Sequence, residues 1–326
     1  MFKISDYSLG KYNGLSIYNE KTKLNLLSKG LTFIDLYITL NNHHINILDG
    51  YKNETEFETY TGARNCFMVP YSNRIKNFSY KLHNIIYSFT QPDYTDTLKM
   101  HGLIKFKDFN LIDYNLCSDK AELKFETILY NDEFPFYPFN LKVVITLKLS
   151  NNFLKITISG INENNFEIPF GCGWHPYFKL GSKIDNLILA VPSKTIVLID
   201  ETFCPVQNYK KLLNPDDELY FLENKVIGNR KINVCYTDLI INNDNQIHTY
   251  LIDEAYKIKL DVFQEKGVVY IFTADGLKFR DRESIAIEPV EFITDVYNHQ
   301  EYFNELMIKP NSFKNFNFGV CWSFYE

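Results

Sequence analysis

The chain has 326 residues, a formal net charge of −6 and a hydrophobic content of 45%. The acidic balance argues against a nucleic-acid or anionic-membrane partner, because both need a basic field, and the apolar content argues against disorder. With 23 tyrosines, 27 phenylalanines, only six alanines and more than thirty asparagines, the composition favours strands and turns and argues against a helical bundle or a doubly wound α/β fold.

Strand–turn–strand patterns recur along the chain. In chain order they are predicted at 31–40 with 45–48, at 78–89, at 141–149 with 154–158, and at 256–262 with 268–273. The third pair is the clearest, because apolar residues alternate with lysine and threonine on both sides of the polar turn Ser150-Asn-Asn152. This period of two is typical of a β-hairpin with one buried and one solvated face.

Helical signals are sparse. Asn298 and Glu301 have the spacing of a capping box before a short apolar turn. No linker, low-complexity tract or repeat divides the chain. We therefore expect one domain over residues 1–326, with an all-β fold built as a large antiparallel β-sandwich. A wide sheet of this kind has a concave face, which suits a ligand.

The sequence also bears on location. It has no apolar run long enough to span a membrane, and its first ten residues lack a basic start followed by an apolar run, so neither a membrane span nor a secretion signal is expected. The six cysteines are scattered singly, without a C-x-x-C pair. This pattern favours reduced, buried thiols in a cytoplasmic protein over disulfides or a zinc site.

Two polar residues lie in unusual apolar settings. His175 lies in Phe170-Gly-Cys-Gly-Trp-His-Pro-Tyr-Phe178, between glycines that allow close backbone approach and a proline that favours extended structure. Glu288 lies in Ser284-Ile-Ala-Ile-Glu-Pro-Val290, where a carboxyl facing a cavity would have a raised pKa and act as a general base. The alternatives are a structural histidine and a solvated strand-end glutamate, and the latter interpretation is favoured for Glu291.

Three further residues are candidates from local context. Arg74 follows a Pro-Tyr turn and could present a guanidinium fork to sugar oxygens or to a carboxylate, although a surface arginine is the simpler interpretation. His101 precedes Gly102 at the start of a predicted strand, and Asp238 is an isolated acid before a polar turn. None of the three indicates a site by itself.

Taken in order, these segments resemble the aldose 1-epimerase (galactose mutarotase) family. The matching segments are Pro70-Tyr-Ser-Asn-Arg-Ile75, His101-Gly102, His175-Pro-Tyr-Phe178, Asp238, Ala286-Ile-Glu-Pro289 and Thr294-Asp-Val-Tyr-Asn298. The His-Pro-Tyr-Phe and Asn-Arg-Ile matches are fairly specific, and the ordered set spans most of the chain. The sequence departs from the family pattern at Leu103-Ile-Lys-Phe106 and at Pro310-Asn-Ser312, which leaves the preferred sugar open.

The resemblance implies a galactose mutarotase-like β-sandwich and an isomerase that interconverts the α and β anomers of free aldohexoses by acid–base ring opening and reclosure. It implies that Glu288 is the base for the C1 hydroxyl and that His175 is the acid for the ring oxygen. The implied substrate-binding residues are Arg74, His101, Asp238 and Asn73. No metal or organic cofactor is implied. The expected partner is a small-molecule sugar, and the expected state is a monomer or a homodimer.

Two other functions remain open. An epimerase of hexose 6-phosphates would need extra basic groups at the pocket. Arg280 and Arg282 are the candidates, although their acidic neighbours favour a solvated strand end. The second alternative is a noncatalytic sugar-binding module on the same fold. Retention of both a candidate acid and a candidate base argues against it, because binding alone needs neither.

Overall fold

The computed structural model describes residues 1–40, 43–89 and 99–324. Within these ranges the chain forms five sheets, three of them large. With strands numbered in chain order, the N-terminal sheet contains β1 (Lys3–Leu9), β2 (Tyr12–Tyr18), β3 (Thr22–Leu27), β4 (Phe33–Leu40) and β5 (His43–Asn46).

The two largest sheets take most of the remaining strands. The nine-stranded sheet has the spatial order β19 (Lys225–Val226), β16 (Ile188–Ala190), β21 (Ile247–Asp253), β22 (Ile258–Gln264), β26 (Phe313–Phe324), β12 (Phe153–Asn162), β11 (Leu141–Ser150), β10 (Lys120–Leu129) and β9 (Asn110–Leu116). The eight-stranded sheet runs β18 (Pro205–Leu212), β17 (Thr195–Ile199), β20 (Asn233–Thr237), β23 (Val268–Phe272), β24 (Ile285–Val290), β14 (Gly173–Trp174) and β6 (Phe67–Met68), and β15 (Tyr177–Phe178) also pairs with β24.

The other elements are short. Two small sheets pair β7 (Ser79–Leu82) with β8 (Ile85–Ser88) and β13 (Ile168–Pro169) with β25 (Met307–Ile308). The α-helices with both ends in the described ranges are α1 (Glu54–Glu58) and α2 (Phe303–Leu306). Single 3₁₀ turns lie at Thr61–Ala63, Lys76–Phe78, Ile104–Phe106, Ile184–Asn186, Val296–Asn298 and Gln300–Tyr302. Large antiparallel sheets with little helix confirm the predicted all-β sandwich.

Three of the four predicted strand pairs form hairpins. The strands β11 and β12 pair antiparallel with Leu149 opposite Leu154, and the Ser150 hydroxyl donates to Asn152 Oδ1 in the turn. The apolar residues on one face of the two strands are buried and the intervening lysines and threonines are not, as the period of two requires. The pairs β4–β5 and β7–β8 likewise lie where the earlier patterns predict them.

The prediction of a hairpin between 256–262 and 268–273 is wrong. Both strands exist, but β22 pairs with β21 and β26, whereas β23 pairs with β20 and β24. The turn at Gly267, which has a φ of 94°, therefore carries the chain from one sheet to another. The burial pattern explains the difference, because β22 alternates whereas the first four residues of β23 are all buried.

The predicted capping box is also wrong. The helix α2 starts at Phe303 without a side-chain cap. The Asn298 amide donates instead to the Asp295 carboxylate at 2.7 Å, so it stabilises the preceding turn rather than the helix.

One large apolar cluster joins the sheets. It includes Leu26 and Phe33 of the N-terminal sheet, Leu147 of the nine-stranded sheet and Ile287 of the eight-stranded sheet, all with 0% exposure. Trp174 belongs to the same cluster and stacks on Phe318 with a centroid separation of 6.2 Å. A continuous core of this kind gives the eight-stranded sheet a rigid backing for a site on its other side.

Candidate active site

The strand β24 carries the first site residue. All six of its residues are buried, because β23 pairs along one edge and β14 and β15 pair along the other. Five of the six are apolar, and Glu288 is the exception, opposite Tyr270 in the register. A carboxyl in the middle of a covered sheet is rare unless it is paired or functional.

His175 lies directly across from this carboxyl. The strands β14 and β15 pair with β24 on either side of Glu288, at Val290 and at Ala286. His175 occupies the gap between the two short strands and therefore reaches β24 at the level of Glu288. Pro176, which follows, ends the first short strand and lets the chain resume pairing one residue later.

Asn65 holds the histidine segment in place. Its N–H donates to the His175 carbonyl at 2.9 Å, and its side-chain oxygen accepts from the Tyr177 N–H at 2.8 Å. Its own carbonyl accepts from the Trp174 indole at 3.2 Å. The φ of Asn65 is 55°, a left-handed conformation that asparagine tolerates better than most residues. The His175 backbone is thus fixed by its neighbours rather than by a ligand.

The two side chains form a close buried pair. His175 Nε2 lies 3.3 Å from Glu288 Oε1, and their side chains are 7% and 6% exposed. Tyr177 stacks on the imidazole with a centroid separation of 5.1 Å and an interplanar angle of 17°. Among the residues that the structure describes, His175 Nδ1 has no hydrogen-bond partner.

Burial sets the charge of this pair. It raises the pKa of Glu288 well above the usual 4.5 and lowers the pKa of His175 to about 3. Both shifts favour the neutral form, because a low dielectric destabilises an isolated charge. When the pair holds one titratable proton, these shifts place it on the carboxyl and leave the imidazole free to accept it.

The Arg74 loop forms a second wall. The guanidinium lies 4.7 Å from the Phe203 ring centroid, and its Nη1 donates to Asn73 Oδ1 at 3.4 Å. The Arg74 carbonyl accepts from the Asp295 N–H at 2.8 Å, and the Asp295 carboxylate accepts from the Lys76 N–H at 2.7 Å. These bonds fix both ends of the arginine and limit the freedom of its fork.

The backbone conformation at His101 and Gly102 explains why a glycine follows the histidine. Their φ angles are 59° and 72°, and a Cβ on Gly102 would lie 2.2 Å from the Val69 carbonyl oxygen, so only glycine fits there. The His101 ring meets the His175 ring edge to face at 5.1 Å. Burial, followed by the charge of protonated His175, lowers the pKa of His101 well below 6.5. His101 is thus a neutral hydrogen-bonding group.

These side chains open onto one cavity of about 320 Å³. Ligand sites span roughly 300–1,000 Å³, so this cavity has the size for a small ligand. The structure brings five of the six predicted site residues to its walls, namely Glu288, His175, Arg74, His101 and Asn73.

Asp238 lies elsewhere. Its carboxylate pairs with Lys210 at 2.6 Å, and both side chains are 49% exposed. It lines a separate depression, because it follows the far end of β20, whereas Asn233 at the near end of that strand lines the site cavity. The position of Asp238 therefore does not fit the substrate-binding role that the resemblance implies.

Lys105, Tyr177 and Asn233 are among the cavity residues that the sequence did not single out as site residues. Lys105 is only 3% exposed, and burial lowers its pKa to about 8. Its signal was a lysine within an apolar segment. Tyr177 is the third residue of the His-Pro-Tyr-Phe motif, and its hydroxyl donates to the Gly62 carbonyl at 2.8 Å. Asn233 gave no signal that separates it from the many other asparagines.

The two arginines considered for phosphate binding are engaged elsewhere. Arg280 donates to the Asp49 carboxylate at 3.2 Å and to Glu56 at 3.0 Å. Arg282 donates to the Asp185 carboxylate at 2.8 Å. Their side chains are 15% and 19% exposed, so the expectation of a solvated strand end is wrong. Neither lines the site cavity.

The solvated interpretation of Glu291 is also wrong. Its side chain is 1% exposed and pairs with Lys266 at 2.8 Å and with Lys314 at 3.5 Å. The Cys172 thiol also donates to this carboxylate. Glu291 thus differs from Glu288, three residues earlier, in having cationic partners.

A buried charge cluster lies behind the site, formed by Asp49, Glu56, Arg64 and Arg280. Arg64 Nη1 lies 2.6 Å from Asp49 Oδ2, with side chains 0% and 1% exposed. Burial acts to raise the pKa of Asp49, but the Arg64 and Arg280 guanidinium groups outweigh it and hold that pKa below its usual value. The Arg64 guanidinium also lies 4.6 Å from the centroid of the Tyr177 ring, so the cluster supports the ring that stacks on His175.

All six cysteines are free, and Cys117 and Cys321 are only partly buried, so the prediction of buried thiols applies to the other four. Over residues 1–40, 43–89 and 99–324, no group of three or more His, Cys, Asp or Glu side chains could hold a metal ion. The same ranges contain no helix with the length and apolar content to cross a membrane.

Comparison with known proteins places this geometry in a family. The family model described as aldose 1-epimerase matches residues 18–318. An uncharacterized protein of Escherichia coli (strain K12), YihR, is 21% identical over 238 residues, which cover 71% of this chain and 70% of that protein. Solved structures with a similar fold include a galactose mutarotase-like protein from Clostridium acetobutylicum (TM-score 0.83, 18% identity, 99% of each chain). Another is galactose 1-epimerase from Lactobacillus acidophilus NCFM (TM-score 0.80, 15% identity, 100% of this chain and 99% of that one).

Proposed function

The chain belongs to the aldose 1-epimerase family, and on this premise we propose that it is an isomerase that interconverts the α and β anomers of free aldohexoses. The observation that carries the proposal is the buried pair of His175 and Glu288, 3.3 Å apart on the wall of a cavity. Ring opening requires a base for the C1 hydroxyl and an acid for the ring oxygen. These two oxygens share one carbon, so adjacent acid and base groups can reach both.

Glu288 is the proposed base and His175 the proposed acid. Glu288 takes the proton of the C1 hydroxyl while His175 protonates the ring oxygen, and the C1–O5 bond breaks to give the open-chain aldehyde. Rotation about C1–C2 presents the other face of the aldehyde. The C5 hydroxyl then attacks C1, His175 recovers its proton, and Glu288 returns its proton to the former carbonyl oxygen.

This assignment needs one proton shift before chemistry. Burial leaves the proton on Glu288 and the imidazole neutral, whereas the assignment starts with a carboxylate and an imidazolium. The 3.3 Å contact between Oε1 and Nε2 is a direct route for that transfer. Sugar hydroxyls that donate to the carboxylate favour its ionised form, so substrate binding itself drives the shift.

The remaining cavity residues orient the sugar. Arg74 and Asn73 present hydrogen-bond donors from one wall, and His101 presents its ring beside His175. Phe272 provides aromatic surface, on which the apolar face of a pyranose packs. Orientation of this kind contributes to the rate because the reacting atoms are held close to the geometry of the transition state.

Polarimetry tests the proposal. Purified protein is expected to accelerate the relaxation of freshly dissolved α-glucose or α-galactose above the spontaneous rate. Glu288→Gln is expected to lower this acceleration by roughly 10²–10⁴-fold, the contribution of one positioned proton transfer, while sugar still binds. Glu283→Gln is the matched control, because this exposed residue lies just before β24 and pairs with Lys179 at the surface. Binding of free aldoses without acceleration of any would contradict the proposal.

A further inference from the structure

One basic side chain on the wall of the site cavity is not used by the proposed reaction. Lys105 lines this cavity together with Glu288 and His175. It is the middle residue of the 3₁₀ turn Ile104–Phe106 and is 3% exposed. Burial of a lysine is costly, because its ammonium group loses hydration. The Lys105 amine thus shares the cavity with the reacting groups.

The backbone around Lys105 is fixed by its neighbours. The Leu103 N–H donates to the Val69 carbonyl at 2.6 Å, and Val69 follows β6, which pairs with β14. The Tyr60 hydroxyl donates to the Lys105 carbonyl at 3.3 Å. A Cβ on Gly30 would lie 3.0 Å from the Lys105 Cα, so the N-terminal part of the chain packs closely against the turn. These contacts tie the turn to the sheet that carries the site and give the amine a defined place on the cavity wall.

Cys66 links the amine to the reaction centre. Cys66 lines the same cavity, and its carbonyl accepts from the His175 N–H at 3.0 Å. Burial raises the pKa of its thiol to about 12, and the charges of Lys105 and Glu288 act on that pKa in opposite directions. The thiol is therefore within electrostatic range of both groups. The Lys105 ammonium also contributes, after burial and protonated His175, to the lowered pKa of His101.

Burial makes the amine nucleophilic near neutral pH. It lowers the pKa of Lys105 to about 8, against a weaker opposing effect of the Cys66 thiolate. A neutral amine attacks carbonyl carbon, whereas an ammonium does not. At about pH 8 roughly half of such a group is neutral, compared with roughly 0.4% of a lysine with the ordinary pKa of about 10.4. Lys105 Nζ donates to the Met100 carbonyl, a bond that the neutral amine retains with one of its two N–H groups.

We propose that Lys105 is a covalent site that condenses with the open-chain aldehyde of the substrate to form an imine. This inference rests on the proposed function, which generates that aldehyde in the cavity. The amine lone pair adds to C1, and both amine hydrogens leave with the carbonyl oxygen as one molecule of water. One C=N bond replaces one C=O bond, so no oxidant or reductant is consumed. Hydrolysis reverses the step, and until then the imine holds the sugar open and competes with ring closure.

Reductive trapping tests the imine. The purified protein is incubated with glucose or galactose and cyanoborohydride, which converts imines into stable secondary amines, and peptide mass mapping locates the modified lysines. At about pH 8, Lys105 is expected to react at least about tenfold faster than exposed lysines, with Lys52 (47% exposed) and Lys179 (43% exposed) as internal references. From about pH 8 to about pH 10 the rate at Lys105 should rise only about twofold, whereas exposed lysines should gain more than about tenfold. Modification confined to exposed lysines would overturn the proposal.

Three variants complete the design. Lys105→Met removes the amine and should abolish the adduct, and the map of the wild-type protein decides the proposal even if this variant fails to fold. Lys107→Arg is the matched control, because Lys107 lies in the same segment, pairs with Glu133 and does not line the cavity, so the Lys105 adduct should persist. Glu288→Gln, which slows ring opening, should lower the hexose adduct in proportion to its loss of mutarotation. Glycolaldehyde has too few carbons to form a sugar ring, so its adduct should persist in that variant.

The outcomes separate this inference from the proposed function. Polarimetric acceleration of hexoses without modification of Lys105 would overturn the imine assignment alone. If no hexose is accelerated, the proposed function fails, and glycolaldehyde with cyanoborohydride still tests the amine. Preferential modification of Lys105 by glycolaldehyde would support a carbonyl-binding lysine, and modification at exposed lysines only would overturn it.

Discussion

Two sets of buried ionisable groups in this protein differ in whether burial leaves them charged or neutral. The cluster of Asp49, Glu56, Arg64 and Arg280 places two carboxylates against two guanidinium groups, and the pKa of Asp49 falls. The pair of Glu288 and His175 has no guanidinium contact of this kind among the described residues, and its pKa values shift toward the neutral forms. Burial is similar in both places, so the difference lies in the partners.

This difference separates a structural ion-pair cluster from a pair suited to proton transfer. A fully paired cluster keeps its charges fixed and resists removal of any member. A neutral acid next to a neutral base keeps one mobile proton between two sites, which is what a reversible proton transfer requires. The two sets meet at Tyr177, which lies against Arg64 on one side and His175 on the other.

The largest expected effect is on activity. His175→Asn should lower the catalysed rate by roughly 10²–10⁴-fold, with little change in the free energy of unfolding, because the imidazole Nδ1 lacks a partner among the described residues. Polarimetry and urea denaturation measure the two quantities. His248→Asn is the control, since His248 pairs with Asp261 at 2.8 Å on the nine-stranded sheet and should leave the rate unchanged. A destabilisation as large as that of a cluster variant would contradict this contrast.

Asp49→Asn should have the opposite profile. Removing one carboxylate from the paired cluster leaves two guanidinium groups without full compensation and should cost about 3–5 kcal/mol of unfolding free energy. Urea denaturation at neutral pH measures this loss. In contrast, Glu283→Gln breaks an exposed pair with Lys179 and should change the same quantity by at most about 1 kcal/mol. Equal effects of the two substitutions would show that the cluster is not specially stabilised.

Arg74→Lys tests the geometry of the cavity rim. Lysine keeps the charge but loses the planar fork and the stacking on Phe203. Since hydrogen bonds from charged groups contribute about 1.5–3 kcal/mol, kcat/KM should fall by roughly tenfold or more, mainly through KM. Arg230→Lys is the matched control, because the Arg230 guanidinium donates to the Ile227 carbonyl away from the cavity. A fall confined to kcat would instead assign Arg74 to the transition state.

The smallest expected effect is the absence of an acid limb near the ordinary pKa of histidine. The pair is active with one proton. Activity is lost only when His175 binds a second proton, near its pKa of about 3, or when Glu288 ionises at its raised pKa. The kcat/KM should therefore show no acid limb near 6.5, the ordinary pKa of histidine. The profile is measured after subtraction of the spontaneous rate. An acid limb centred near 6.5 would show that His175 titrates as a solvated group.

Much of the fold could be predicted from local sequence patterns, but the assembly of the site could not. The alternation at Lys142, Thr146 and Lys148 was sufficient for β11 because one face is solvated. In β23, both faces are covered, so its apolar run did not reveal its partner. Arg74 and Glu288 lie far apart in sequence, and only the ordered resemblance to a family joined them.

The failures at the site have physical causes. Asp238 and Asn233 lie at opposite ends of the same strand, and local sequence does not indicate which end meets the cavity. Arg280 and Arg282 had acidic neighbours in the sequence, but their ion-pair partners include Asp49 and Asp185, which are distant in the chain. Long-range pairing of this kind is decided by topology rather than by local pattern.

The alignment of β24 with its neighbours has a genetic consequence. Glu288 faces the cavity because its strand is in register with β23 and with the two short strands around His175. A shift of one residue turns every side chain of a strand to the opposite face. An in-frame deletion of the Ile287 codon would therefore leave the glutamate in the protein but present it to the wrong side, with the same phenotype as its loss. At this position a reading of the gene that checks only for the presence of the residue would miss a null allele.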